Sequence, residues 1–192
     1  MSTYHISLVA TEVAGKDSEK SINKITDFLH RRQIIASEAT YCVHDPDKLG
    51  YAPGQNFLSA LAHADACQGD YRYSLDTFTG TNGLQTCSSK CVAMNNQGLW
   101  QYTTCPRCAE RAPQDKNWSN AVTRWHKNPS KTELHCSKCN VASDIRNWDN
   151  DGDLALGELS LTFWNWPKLG DEFIENIQEI VEGNIRKIEG KV

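Results

Sequence analysis

The sequence predicts an α+β fold in which two strand–helix–strand units, one near each end of the chain, frame a long insert. Three observations point to it. Short stretches at residues 4–10 and 158–164 alternate apolar and polar side chains, each is followed by an amphipathic helical pattern, and residues 45–153 between the units hold seven of the eight cysteines.

In the first unit, Tyr4, Ile6, Leu8 and Ala10 alternate with His5, Ser7 and Val9, the period of a half-buried strand. Asp17 or Ser18 offers a cap for a helix running to about Arg32. Ile22, Ile25, Phe28 and Leu29 fall on one face of it, with Lys20, Lys24 and Arg31 off that face. Ile34 to Val43 is apolar and β-branched enough for a second strand, ended by the turn residues Asp45-Pro46-Asp47.

The second unit repeats the plan. Leu159, Leu161 and Phe163 alternate with Glu158, Ser160, Thr162 and Trp164, and Pro167 blocks extension. A helix from about Leu169 to Glu182 carries Phe173, Ile174, Ile177, Ile180 and Val181 on one face, with Asp171 and Glu172 in its first turn, where the helix dipole favours negative charge. Gly183-Asn184 is a stop, and Ile185 to Glu189 is a last short strand. Two such units in one chain fit a ferredoxin-like βαββαβ core, with two helices on one face of a four-stranded antiparallel sheet. Residues 1–44 and 154–192 would form that core, and residues 45–153 an insert between its second and third strands. The alternative is a single α+β domain with more strands. An insert of this length needs structure of its own. Within it, Gly50-Tyr51-Ala52-Pro53-Gly54 reads as a turn-rich loop before a short helix at Asn56–Ala66.

Composition narrows the class. With 39% hydrophobic and 23% charged residues, 12 glycines and 6 prolines, the chain is neither collagen-like nor disordered. No run approaches the roughly 18 apolar residues of a membrane span, and the N-terminus lacks a basic segment followed by a long apolar one. A cytoplasmic protein without membrane contact is expected. The net charge of −4 makes no global case for nucleic acid. It nevertheless conceals a basic middle: residues 105–148 carry eight basic and four acidic side chains, and residues 149–192 carry four and ten.

That basic segment contains Cys105-Pro106-Arg107-Cys108 and Cys136-Ser137-Lys138-Cys139, separated by 27 residues. Two residues between cysteines let both sulfurs turn onto one ion, and two such knuckles supply the tetrahedral sulfur set that suits Zn²⁺. Over residues 100–142 the pattern resembles a zinc ribbon. It departs in a longer spacer and in Ala109 and Asn140, which stand where a left-handed glycine often follows the second cysteine. The expected ligands of one structural zinc are Cys105, Cys108, Cys136 and Cys139. A pair of redox dithiols, a rubredoxin-like iron site and unrelated buried cysteines are the competing readings. Trp118, Val122, Trp125 and Leu134 would form a small core around the site, with Trp100 and Trp148 beside the knuckles; His126 and His135 are possible substitute ligands.

Other constellations are weaker. Cys87 and Cys91 could join Cys42, His44, His63 or Cys67 in a second metal site or form a disulfide. Cys42 and His44 would share a strand face, as nucleophile and base do. Asp149-Asn150-Asp151-Gly152-Asp153 resembles the start of a calcium loop, but its glycine comes two places early and Ser160 stands where the final glutamate belongs. It reads as a solvated turn. Thr162 to Pro167 is an aromatic-dense strand end, read as packing or as a partner surface. A closed four-cysteine site is structural. The leading expectation is therefore a non-enzymatic zinc-binding protein with a binding or adaptor role toward a protein partner. The alternatives are nucleic-acid binding through the basic segment, with Trp118 and Trp125 stacking on bases, and an enzyme whose active site lies on the open sheet face.

Overall fold

The computed structural model describes residues 3–13, 15–64, 81–95, 102–128 and 132–192. Its largest element is a six-stranded antiparallel sheet. The strands in spatial order are β12 (Ile185–Lys191), β1 (Tyr4–Ala10), β11 (Leu159–Trp164), β4 (Leu84–Cys87), β3 (Gly50–Pro53) and β2 (Ile35–Thr40). β12, β1 and β11 neighbour one another as the split units require. The expected second and third strands do not, because β3 and β4 lie between β2 and β11. The fold is thus a mixed α/β one with a mostly antiparallel sheet, wider than the four strands expected.

β3 corrects the turn-rich reading of residues 50–54. A strand there tolerates Gly50 because the chains come too close for a side chain: a Cβ would sit 2.3 Å from Val43 Cγ1 and 2.6 Å from the Leu84 carbonyl oxygen. The helix expected over 56–66 is a single 3-10 turn at Phe57–Ala60. Residues 65 and 66 lie outside the described residues.

Helix α1 (Lys16–Arg31) and helix α3 (Asp171–Val181) pack on each other and on one face of the sheet; α2 is described below with the metal centre. Ile22, Ile25, Leu29, Phe173 and Ile177 meet Ile6, Leu8, Leu161 and Phe163 there. Trp166 is buried in the same core, edge-on to Phe57 and Phe163. The helix ends differ from expectation. Gly15, at φ 60°, is the N-cap, and its N–H donates to Glu158 at 2.9 Å. Ser18 Oγ is buried without a partner instead of capping. At the end of α3 the left-handed residue is Glu182 (φ 57°), one place before Gly183. After β2, the expected Asp45 turn is present: Asp45 Oδ1 accepts from the Asp47 N–H at 3.1 Å.

β1 was expected to be half-buried, yet every residue from His5 to Ala10 is buried. Its second face is covered by a two-stranded ribbon of β5 (Cys91–Met94) and β10 (Leu154–Gly157). The ribbon is apolar on both sides with period two. Ala93 and Ala155 face Val9 and Ile188 of the main sheet, while Val92, Met94, Leu154 and Leu156 face a second core. The small alanines let the ribbon lie close to the sheet. Gly157 makes the departure from β11 possible, because a Cβ there would sit 2.3 Å from the Ala10 carbonyl oxygen. The layers are therefore helices, sheet, ribbon and a small module that carries the paired cysteines.

Candidate metal centre

Each Cys-x-x-Cys pair sits at the tip of a short hairpin. β6 (Tyr102–Thr104) and β7 (Arg111–Pro113) flank the first; β8 (Glu133–His135) and β9 (Ala142–Asp144) flank the second. The two tips use the same hydrogen bonds. The N–H of Cys105 donates to Glu110 O and that of Ala109 to Cys105 O; likewise Cys136 donates to Val141 O and Asn140 to Cys136 O, at 2.9–3.1 Å. Closing the turn this way requires a left-handed residue after the second cysteine, and Ala109 (φ 56°) and Asn140 (φ 55°) adopt it. Asn does so readily. Ala has no side-chain compensation and bears a penalty of about 1 kcal/mol.

The long spacer is explained by helix α2 (Lys116–Lys127), which the sequence reading missed. Its signal is present. Asp115 caps it by accepting from the N–H groups of Asn117 and Trp118 at 2.9 and 3.0 Å. Trp118, Ala121, Val122 and Trp125 recur at helical spacing, and Arg124, His126 and Lys127 end it. Trp118, Ala121 and Trp125 are buried against Leu134, Ile145 and Trp148, so the tryptophans are core. Trp100 and Cys67 lie outside the described residues.

The four sulfurs converge: the ligand atoms of Cys105, Cys108, Cys136 and Cys139 all lie within 4.8 Å of one another. Cross-hairpin edges are 3.9 Å for Cys105–Cys139 and 3.7 Å for Cys108–Cys136. A tetrahedron with metal–sulfur bonds near 2.3 Å has edges of about 3.8 Å, so the spacing suits one ion. Cys105 and Cys136 are buried and the other two partly so. The N–H of Arg107 points at Cys105 Sγ, 3.4 Å away. Backbone N–H groups of Cys139 and Lys138 pull the Cys136 thiol down to about 7. At Cys108 the Glu110 N–H pulls the same way, but burial and the three neighbouring sulfurs outweigh it and push the thiol up to about 12. Four sulfurs this close cannot all ionise alone, and a cation relieves that conflict. His126 and His135 are exposed and lie outside the group.

No family model, curated protein or solved structure matches this chain.

The other expected sites resolve differently. Among the described residues, no second group of three or more His, Cys, Asp or Glu side chains converges as a metal site would. Asp149 to Asp153 form a turn with left-handed Asp151 and Gly152, and two of its three acids are already engaged: Asp151 pairs with Arg111 at 2.5 Å, and Asp153 accepts from Asn95 at 3.1 Å. Residues 42–44 are not a strand. Cys42 Sγ occupies the space beside Gly83, and His44 stacks on Trp164 at 5.1 Å. Trp164 itself donates to Gln85 at 3.0 Å. Of the basic segment, Lys138 pairs with Glu110 at 2.7 Å and Arg146 with Asp144 at 2.8 Å, and Arg111 also stacks on Tyr102. No helix of the described residues is long and apolar enough to cross a membrane.

Proposed function

We propose that this is a zinc protein with a zinc-ribbon-like module, whose one Zn²⁺ is held by Cys105, Cys108, Cys136 and Cys139, and that its role is binding or adaptor work toward a protein partner. The observation behind the reading is the cysteine tetrahedron with 3.7 and 3.9 Å edges. Four protein ligands leave no open position for water or substrate, so the metal supports structure and makes no bonds to a reactant. The partner is argued from the surface: among the described residues, Tyr41 (74% exposed) and Leu49 (52% exposed) are the two most exposed large hydrophobic side chains and flank one connection, from β2 to β3.

Nucleic-acid binding ranks second. Arg107, Arg124 and Lys127 are exposed and favour it. Among the described residues, Arg111, Lys138 and Arg146 are paired with acids, and Trp118 and Trp125 are buried, which removes the stacking surface.

Elemental analysis of the purified protein tests the first reading, with about one zinc per chain expected and X-ray absorption giving four sulfur neighbours near 2.3 Å. Iron in place of zinc, or metal retained undiminished in the Cys108→Ser/Cys139→Ser variant, would overturn it. Fluorescence anisotropy with short oligonucleotides tests the second. Micromolar binding at about 0.15 M salt, lost on changing Arg124 and Lys127 to Ala, would promote it.

A further inference from the structure

The described residues do not fully cover the second face of the main sheet. Beside the β5/β10 ribbon is a cavity of about 530 Å³, lined by His5, Ser7, Lys48, Cys87, Cys91 and Thr162 among others. Its floor is polar and ordered: His5 Nδ1 and Ser7 Oγ lie 3.2 Å apart, and Ser7 Oγ and Thr162 Oγ1 3.0 Å apart. Two cysteines outside the metal centre share this cavity.

Their placement follows from the sheet. β10 and β11 are consecutive, separated by Glu158 alone, and bend apart at Gly157. β4 follows β11, pairing Cys87 with Ser160, and β5 follows β10, pairing Cys91 with Gly157. Only Ser88-Ser89-Lys90 separates the two cysteines, so the chain crosses from one sheet to the other within three residues and brings both cysteines to the one cavity. Cys91 is further held by the Gly157 carbonyl oxygen at 3.1 Å, and Cys87 by Ser89 Oγ at 3.3 Å. Lys90 of the connecting loop bonds to the Trp125 carbonyl oxygen and lies over its ring, 4.9 Å from the centroid, which ties the loop to the metal module.

We infer that Cys87 and Cys91 are a reversible thiol–disulfide exchange site, with Cys87 the attacking sulfur and Cys91 the resolving one, acting on a low-molecular-weight disulfide that enters the sheet-face cavity. The assignment of roles follows from the contacts. The Cys91 thiol donates to the Gly157 carbonyl oxygen, which can only accept, so its proton stays on Cys91. Cys87 makes an exposed contact with Ser89 Oγ, and the neighbouring Cys91, Ser89 and the charge of Lys48 pull its thiol down. The neighbouring Cys87 and burial push the Cys91 thiol up. The thiolate is the nucleophile.

In the first step the Cys87 thiolate bonds to one sulfur of the disulfide, and the other leaves as a thiolate. Cys87 then carries no charge, so its charge no longer holds the proton on Cys91. The leaving thiolate takes that proton, Cys91 attacks Cys87 Sγ, and the second half of the small disulfide departs as a thiolate. The two protein thiols are oxidised to one disulfide while the small disulfide is reduced to two thiols.

The test is intact-mass and peptide mass spectrometry of the zinc-loaded full chain exposed to oxidised glutathione, with zinc measured alongside. The wild type should lose two hydrogens, form a Cys87–Cys91 cross-linked peptide, keep its zinc, and revert with dithiothreitol. Cys91→Ser should stop at one glutathione adduct on Cys87, and Cys87→Ser should give no adduct on Cys91. Absence of the cross-link in the wild type, adducts first on Cys91, or oxidation confined to the four clustered cysteines with zinc release would overturn the proposal. Because the wild-type result stands without a variant, a variant that failed to fold would not shield it. Zinc content reports separately on the metal reading.

Discussion

The two main cores of the molecule are built on different principles. The helix–sheet core draws buried side chains from α1, α3 and the main sheet, including Ile6, Leu8, Ile25, Leu29, Leu161, Phe163, Trp166 and Ile177. Among the described residues the module core has ten buried members; two of them are cysteines of the cluster and two, Leu154 and Leu156, are lent by the ribbon. Its own hairpins are three residues per strand. Hairpins that short do not hold themselves together. The first core is stable by burial; on the proposed zinc reading, the second needs its cysteines joined. Size and hydrophobicity alone therefore do not rank the two regions, because on that reading the module's integrity depends on a bond that the helix–sheet core does not use.

Removing the metal is the sharpest way to separate them. Structural zinc supplies on the order of 10 kcal/mol to domains of this kind. Chelation, or the Cys108→Ser/Cys139→Ser change, should abolish amide-exchange protection in β6–β9 and α2 while β1, β11, α1 and α3 keep theirs. Simultaneous loss in both regions would mean that they are one cooperative unit.

The next largest contrast comes from two aromatic deletions. Trp125→Ala and Phe163→Ala each remove a large buried ring and should each cost about 3–5 kcal/mol. Phe163→Ala should lower the main thermal transition with metal affinity unchanged. Trp125→Ala should weaken metal retention against a competing chelator, with the main transition nearly in place. Equal effects on both readouts from either variant would erase the distinction.

Gly157→Ala probes the joint between the regions. The added methyl meets the Ala10 carbonyl oxygen at 2.3 Å, so the ribbon must lift from β1, at a cost of about 1–3 kcal/mol. Exchange protection should fall at β5 and β10 before it falls at β11. Smallest is the difference between the two hairpin tips. Ala109→Gly relieves a left-handed alanine and should stabilise the metal-bound module by about 0.5–1 kcal/mol, whereas Asn140→Gly should change little. Competitive metal titration can resolve the pair.

These contrasts also account for what could be read without a structure. β1, α1, β11 and α3 are long enough for their period to repeat, and Ile22/Ile25/Leu29 and Phe173/Ile177/Val181 face the core as their spacing requires. β3, β4, β5 and β10 have four residues each, too few for a period to be distinct, and Gly50 and Pro53 disguise β3 as a turn. The sheet width was illegible for that reason. The four clustered cysteines were legible because two-residue spacing is a local constraint. α2 was missed although Asp115, Trp118, Val122 and Trp125 mark it, because the tryptophans were read as cover for the metal or as stacking partners for bases and not for their spacing. The meeting of Cys87 and Cys91 at one cavity depends on a bend at Gly157, some seventy residues away in the chain, and no local pattern encodes it.

The ribbon has one more consequence. β5 enters the module and β10 leaves it, and the two are paired from Met94↔Leu154 to Cys91↔Gly157, with the Asn95 N–H donating to Asp153 O at 2.8 Å. The ends of everything between residues 95 and 153 are thus stapled side by side, as the ends of a transplantable cassette are. Replacing that stretch by a two-residue turn would leave the backbone of β5 and β10 a simple hairpin and spare the sheet register. It would also strip Val92, Met94, Leu154 and Leu156 of their cover and leave a greasy stripe across the molecule. The excised protein should fold and self-associate, and polar residues at those four positions should restore its solubility.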